Sequence, residues 1–197
     1  MSRWAQQTLA DDSLLAFDLE TTGLGKAWAV QIAAVDRSGN VLVNELVNPL
    51  AEIEPGAIAV HGITPDRVRD APTFSQLLPR LSDIFRGRLC LAFNVTFDRG
   101  CIEREVRRHH QSHGPYPVLP GPDVEHPAVQ EWMTACCWED AMMPYSVWKG
   151  LWAANRGRYR PQRLGGPHDA VADCLTMLRR LEEMAANPTL QPVVDAS

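Results

Sequence analysis

Two carboxylates stand two positions apart at the end of a short apolar run. Asp18 and Glu20 follow the run 14–17, and because side chains alternate along a strand, both point to one face. Two such groups in a largely buried setting need a cation. The chain holds four carboxylate-x-carboxylate pairs, close to what chance gives. Without further context, a solvated strand end is favoured over a metal site for these two residues.

A turn that contains a glycine follows directly, as Thr21-Thr22-Gly23-Leu24. A glycine there lets the backbone approach a ligand closely, and the threonines offer hydroxyl and amide donors to a phosphate or a sugar. The turn therefore favours a metal site that works on a phosphate-bearing ligand.

Four segments carry a family resemblance. Residues 17–24 (FDLETTGL) resemble the first motif of the DEDDh exonucleases, the family of the bacterial polymerase proofreading subunit and of ribonuclease T. Residues 92–98 (AFNVTFD) resemble the second motif, 168–173 (HDAVAD) the third, and 60–64 (VHGIT) the family's His-Gly-Ile segment. Each later motif alone is weak, but three motifs in order are strong together, and the resemblance spans about residues 14–185.

The resemblance implies a catalytic apparatus of five residues. Asp18, Glu20, Asp98 and Asp173 would hold two divalent cations, and oxygen ligands suit Mg²⁺ or Mn²⁺ better than zinc. Two ions would activate a water and stabilise the leaving 3′ oxygen. His168, at a helix start, would be a mobile general base. The implied activity is 3′-to-5′ exonucleolytic hydrolysis, which releases nucleoside 5′-monophosphates.

Nine residues are expected to contact the substrate. They are Thr21, Thr22, Gly23, Leu24, His61, Asn94, Phe97, Arg158 and Arg160. Stacking on a ring face accepts any base, although a core aromatic is an equal alternative for Phe97. The two arginines belong to a tract of four positive charges in eight residues, 156–163. This tract would neutralise a strand backbone or form a solvated basic loop.

Two departures from the family pattern concern residues that are not metal ligands. Phe93-Asn94 stands where many members have His-Asn, and Met133-Thr134 where many have Asp-Thr. These departures put details of substrate binding in doubt more than catalysis.

The pattern of elements predicts an α/β fold, the ribonuclease H-like exonuclease fold, with a mixed central β-sheet flanked by α-helices. The expected elements are strands at 14–17, 28–35, 41–47 and 89–93, helices at 73–85, 97–108 and 168–184, a loop at 113–127, and a partly helical stretch at 132–152. The expected organisation is a flexible N-terminal arm at 1–12, one exonuclease domain at 13–186 and a C-terminal tail at 187–197. The charges of the helix at 97–108 predict an ordinary solvated face.

Composition limits the protein's class. The chain has 197 residues, of which 45% are hydrophobic. Its five cysteines form no CxxC pair, which argues against a zinc site. Its net charge of −5 argues against a protein that coats DNA. We expect a cytoplasmic enzyme with no membrane span, with nucleic-acid 3′ ends, especially of single-stranded DNA, as substrate. A homodimer or a polymerase partner is possible. The alternatives are an exoribonuclease or short-oligonucleotide nuclease, and a non-catalytic nucleic-acid-binding or proofreading accessory module; the presence of all five catalytic positions speaks against the last.

Overall fold

The computed structural model describes residues 1–113, 126–187 and 193–194. In chain order the elements are α1 (Ser2–Ala10), β1 (Leu14–Thr21), β2 (Ala29–Asp36), β3 (Val41–Leu46), α2 (Pro55–His61), α3 (Pro65–Val68), α4 (Phe74–Phe85), β4 (Leu89–Ala92), α5 (Val95–His113), α6 (Pro127–Thr134), β5 (Cys137–Asp140), α7 (Met142–Lys149), β6 (Leu151–Ala153), β7 (Arg158–Tyr159), α8 (Ala170–Ala186) and β8 (Val193–Val194).

Five strands form the central sheet, in the order β3-β2-β1-β4-β5. β1, β2 and β3 are antiparallel neighbours, whereas β4 runs parallel to β1 and β5 parallel to β4. The mixed sheet predicted from the sequence is thus confirmed. A small second sheet has the order β7-β6-β8.

Alternation along β1 divides the core into two layers. Leu15 and Phe17 pack with residues of α4, α5 and α6 on one side of the sheet. Leu14 and Ala16 pack on the other side, with residues of α1, α7 and α8. Helices therefore cover both faces of the sheet, and the central strand is buried on both sides, as its continuous apolar run predicts.

The first strands and the closing helix lie where the sequence predicts them. The hairpin between β2 and β3 turns through Gly39, whose φ is +81°, and Asp36 Oδ1 accepts hydrogen bonds from the amides of Ser38 and Asn40. α4 begins with a capping box, in which Thr73 and Gln76 bond reciprocally. Local turn and cap chemistry therefore fixes these boundaries.

One expectation about the elements was wrong, a second was incomplete, and two fall mostly on residues that the structure does not describe. Residues 2–10 are not part of a flexible arm but form α1, where Ala5 is fully buried and the Trp4 indole donates to Glu139 at 3.1 Å. The stretch expected to be partly helical contains the strand β5 as well as α6 and α7. The tail expected at 187–197 lies mostly outside the described residues, but 193–194 pair with β6 as a strand. The loop expected at 113–127 likewise lies mostly outside them. No helix in the described ranges is long and apolar enough to cross a membrane.

Candidate active site

The C-terminal end of β1 presents two of the predicted metal ligands. By strand alternation Asp18 and Glu20 lie on the same side as Leu14 and Ala16, which is the side that α8 covers. Glu20 is 8% exposed and Asp18 is half-buried. β1 is the middle strand of the sheet, so it gives both carboxylates a rigid support.

Asp98 lies in the first turn of α5 and is 3% exposed. Its Oδ1 accepts a hydrogen bond from the backbone amide of Leu19, at 3.2 Å. Since Leu19 stands between the two carboxylates of β1, this bond joins the first and second motifs directly.

A carboxylate from β5 fixes the start of α5. Asp140 Oδ1 accepts from the amides of Asn94 and Val95, both at 3.1 Å, and Oδ2 accepts from the amide of Met143, the second residue of α7. Amides at helix starts lack intrahelical partners, so one side chain satisfies two helices. The position of Asp98 therefore depends on Asp140, which the sequence analysis did not single out.

Asp173 and His168 come together at the start of α8. Asp169 caps this helix by accepting from the Ala172 amide at 3.1 Å, which places Asp173 in the first turn, 6% exposed. Its Oδ1 is buried and has no hydrogen-bond partner among the residues that the structure describes. A Cβ on Gly166 would lie only 1.5 Å from that oxygen, so no other residue fits there unless the carboxylate moves.

One ligand atom from each of Glu20, His168 and Asp173 lies within 4.8 Å of the other two. This grouping unites the first and third motifs, which are about 150 residues apart in the sequence. Carboxylate oxygens with an imidazole are a donor set that a divalent cation can accept.

Burial raises the pKa of all four carboxylates, and repulsion from neighbouring carboxylates adds to it. Burial is the main cause in each case. The pKa of Asp18 lies well above its usual range, with the charge of Asp98 as the next cause. The pKa of Glu20 rises to about 7, with a further contribution from Asp173. An arrangement that disfavours its own charge in this way is suited to bound cations.

A cavity of about 350 Å³ opens beside this cluster. Its lining includes Glu20 and His168 together with the apolar side chains of Leu24, Val60 and Phe97. Leu24 is 88% exposed, which is unusual for a large apolar side chain and leaves it available to a ligand. Phe97 is half-buried at the cavity wall, and its stacking on a base stays a prediction.

His61 lines the same cavity but has both ring nitrogens engaged. Nδ1 accepts from the amide of Ile63 at 3.0 Å, which leaves Nε2 to donate to the carbonyl oxygen of Thr21 at 3.2 Å. Burial lowers the pKa of His61, which favours the neutral ring. The ring of His168, by contrast, makes no hydrogen bond within the described parts of the chain. Of the two histidines, only His168 has a nitrogen available to take a proton.

Gly23 lacks a Cβ and so allows another group to approach its backbone closely. In this structure that group is a side chain of the protein, Glu54, and not a ligand. A Cβ at this position would lie 2.3 Å from the carboxylate of Glu54, which also lines the cavity. The Glu54 amide donates to the Thr22 carbonyl oxygen at 2.9 Å. The sequence analysis missed Glu54, although Pro55 behind it, at the first position of α2, marks a helix start.

Some predicted substrate residues lie elsewhere or have other partners. Thr21 Oγ1 donates to the Gly23 carbonyl oxygen, and the amide and hydroxyl of Thr22 both bond to Trp28, so these hydroxyls close the turn. Asn94 is exposed, has a φ of +71°, and does not line the cavity. Arg158 and Arg160 line a separate cavity.

The charged face of α5 was predicted to be ordinary and is not. Glu105 is 1% exposed; it accepts from the Ala29 amide at 3.1 Å and from Arg108 at 2.7 Å. Arg108 also stacks on the ring of Trp28 at 4.0 Å. Glu105 and Arg108 together attach α5 to Trp28 and Ala29, which follow the turn after β1. The charge pattern alone predicts a solvated face, but packing against this second element buries Glu105.

The two departures from the family pattern are structural positions. Phe93 packs edge to face against Tyr145, with ring centroids 6.1 Å apart. Met133 is buried in the core beneath the sheet. Neither side chain lines the cavity beside Glu20.

Comparison with known proteins identifies the family of the chain. Residues 15–181 match the model of the family described as Exonuclease, of RNase T type. The uncharacterized exonuclease CP81 of Escherichia phage 186 is 28% identical over an alignment of 198 positions that covers 94% of this chain and 94% of that protein. DNA polymerase III subunit epsilon of Pasteurella multocida is 29% identical over an alignment of 105 positions. This alignment covers 48% of this chain and 42% of that protein.

A solved structure shares the fold. Exonuclease X in complex with 5′ overhanging duplex DNA superposes with a TM-score of 0.52 at 24% identity, over 89% of this chain and 94% of that one. At this identity the similarity shows the ribonuclease H-like exonuclease fold.

Proposed function

The chain belongs to the exonuclease family, and on that premise we propose that it is a metal-dependent 3′-to-5′ exonuclease with DNA 3′ ends, especially single-stranded ones, as substrate. The observation that carries this proposal is the cluster of four carboxylates, three of them buried, beside an open cavity of about 350 Å³. The DNA in the exonuclease X structure supports the substrate class. A non-catalytic module would not need to maintain a cluster that repels itself.

The residues fit divalent cations. Asp18, Glu20, Asp98 and Asp173 offer carboxylate oxygens, the ligands that Mg²⁺ and Mn²⁺ prefer, and Asp173 Oδ1 is buried without a partner in the ranges that the structure describes. Bound cations of this kind supply charge stabilisation at the attacking and departing oxygens of a phosphodiester. The protein alone does not balance the negative charge of the four carboxylates, and their raised pKa values reflect this imbalance.

The chain's own residues then divide the remaining work. The ring of His168 lies beside Glu20 and Asp173 and is exposed, so it is placed to take the proton of the attacking water as a general base. Leu24, Phe97 and the ring of His61 provide apolar surface for the terminal base and sugar. Such stacking does not distinguish between bases, which suits an enzyme that removes one nucleotide after another.

Partners are a separate matter from the chemistry. The matching part of the epsilon subunit is less than half of that protein. Because that relative is named as a subunit of a DNA polymerase, it supports the hypothesis that this chain associates with a polymerase. A homodimer remains a prediction. Purification with and without a polymerase, followed by light scattering, would measure both.

The decisive experiment is a degradation assay. Labelled single-stranded DNA, duplex DNA and RNA are each incubated with Mg²⁺, Mn²⁺ or a chelator, and we expect nucleoside 5′-monophosphates to be released from DNA 3′ ends only with metal. Asp18→Ala and Asp173→Asn should each abolish cleavage while the fold persists. Asp83→Asn, on the exposed face of α4, is the matched control and should cleave normally. Undiminished turnover in either active-site variant would contradict the assignment.

A further inference from the structure

Positive charge in this acidic chain is concentrated in one segment. Residues 141–168 contain five of the 19 lysines and arginines and none of the 24 acidic residues. The five are Lys149, Arg156, Arg158, Arg160 and Arg163. A net charge of −5 therefore conceals a strongly cationic stretch, which attracts anions locally whatever the overall charge.

The centre of this segment is an ordered hairpin, residues 151–160, here called the basic hairpin. β6 and β7 pair antiparallel, with Trp152 opposite Tyr159, and the two rings meet edge to face at 5.0 Å. Gly157 turns the chain with a φ of +60°, and the amide of Arg160 donates to the Leu151 carbonyl oxygen at 2.8 Å. The arginines are therefore held on a folded support.

The basic hairpin is also attached to the domain. The amide of Gln162 donates to Ser146 Oγ at 2.9 Å, and Ser146 in α7 is fully buried. On its other edge β6 pairs in parallel with β8. A merely solvated loop would not need these attachments, because cations in water gain little from a fixed geometry.

Three of the arginines surround one cavity of about 300 Å³. Arg156, Arg158 and Arg160 line it together with Asn155 and Tyr159, and none of its lining residues in the described part of the chain carries a carboxylate. Guanidinium groups present planar forks of donors that match phosphate oxygens. A cavity of this composition is suited to a phosphate group.

We propose that the basic hairpin binds the phosphate backbone of the substrate strand, upstream of the nucleotide being removed. The inference rests on the proposed function, which brings the strand's 3′ end to Glu20 and His168. Arg160 lies eight residues before His168, a span of at most about 28 Å for a fully extended chain. At about 3.4 Å per nucleotide, the hairpin contacts the strand within about eight nucleotides of its end.

The test compares oligothymidylates of three and 20 nucleotides. The wild type should show a higher kcat/KM for the 20-mer, and Arg158→Gln/Arg160→Gln should reduce that preference. Binding of the 20-mer, measured by fluorescence anisotropy from 50 to 200 mM salt, should become less salt-dependent. Loss of two phosphate contacts to a single strand makes the log–log slope shallower by about 1.4, or about sevenfold across that range.

Two further variants keep the result interpretable. Arg3→Gln/Arg37→Gln removes the same charge outside both cavities and should retain the wild-type slope. If the double hairpin variant does not fold, Arg156→Gln alone should make the slope shallower by about 0.7. An unchanged slope in the hairpin variants, an equal change in the control, or no length preference in the wild type would overturn the inference.

Failure of this inference is distinguishable from failure of the proposed function. Degradation with an unchanged salt slope would refute the hairpin alone. A slope difference in binding, without degradation of any length in the presence of metal, would refute the exonuclease and keep the hairpin as a nucleic-acid site. Displacement of the 20-mer by polyglutamate more readily than by unlabelled oligothymidylate would instead indicate an acidic protein partner, and would overturn the assignment.

Discussion

Glu20 should destabilise the metal-free protein at alkaline pH, and Glu20→Gln should relieve this penalty. The pKa of Glu20 rises from an ordinary 4.5 to about 7, which corresponds to about 3 kcal/mol once the carboxylate is ionised, or about 2 kcal/mol after allowance for solvent screening. An unfolding entropy of about 2.1 cal/mol/K per residue gives about 0.4 kcal/mol/K for a chain of this length. The expected gain in Tm is therefore about 5 to 8 °C.

The sign of the pH dependence follows from the raised pKa. A carboxyl group that is harder to ionise in the folded state contributes no penalty below its unfolded pKa. The penalty develops as the pH rises from about 4.5, where the unfolded carboxyl ionises, and is complete above about 7, where Glu20 ionises in the folded protein. In a chelator, wild type and Glu20→Gln should thus unfold at similar temperatures near pH 4.5, and the variant should be more stable at pH 8.5.

Differential scanning fluorimetry at both pH values, with chelator or with Mg²⁺ or Mn²⁺, measures this directly. Metal should raise the Tm of the wild type more at pH 8.5 than at pH 4.5, and should raise that of the variant less. Glu182→Gln changes an exposed residue of α8 and is the matched control, with no pH-dependent gain. Equal Tm values for wild type and Glu20→Gln at pH 8.5 in chelator would refute the reasoning.

Two further predictions concern the start of α8. His168→Ala should cut kcat by about 10² to 10⁴ with little change in KM while metal still raises the Tm, and the acidic limb of the rate–pH profile should be lost; near-full kcat, or loss of the metal effect, would show that His168 is structural. Gly166→Ala places a Cβ 1.5 Å from Asp173 Oδ1, so the carboxylate must move and the metal-induced rise in Tm should fall. Gly25→Ala, where a Cβ meets nothing within 4 Å, is its control, and equal metal effects in the two variants would contradict this account.

The sequence predicts those parts of the site that local pattern determines. Alternation after an apolar run places Asp18 and Glu20 on one face, and the cap and periodicity of α8 locate Asp173. The match to three ordered motifs then brings Asp98 into the same cluster. These residues are predictable because each belongs to a regular element whose direction follows from its own side chains.

The sequence does not predict the supports that depend on packing between distant segments. In the sequence Asp140 and Glu54 do not differ from other acidic residues. Asp140 accepts hydrogen bonds from amides at the start of α5, and Glu54 lies against Gly23. Each of these partners is more than 30 residues away in the sequence. β5 has only four residues, among tryptophans and methionines that fit a helix equally well. α1 has no acidic residue in its first turn and no side-chain cap, so its contacts with α8, and not its own signals, distinguish it from a loose arm.

The two kinds of catalytic residue differ in how the fold holds them. The four carboxylates lie on β1, α5 and α8, whose backbones are fixed by the sheet and by capped helix starts. His168 lies on a connection that contains Gly165 at a φ of +80° and itself has a φ of +58°, a conformation that is costly for a residue other than glycine. Ligands for cations require fixed distances. A group that acts as a general base requires access to the water whose proton it takes and to the solvent that receives this proton. The cap Asp169 therefore marks the boundary between the proposed metal ligands, which lie on regular elements, and the proposed general base, which lies on the connection before α8.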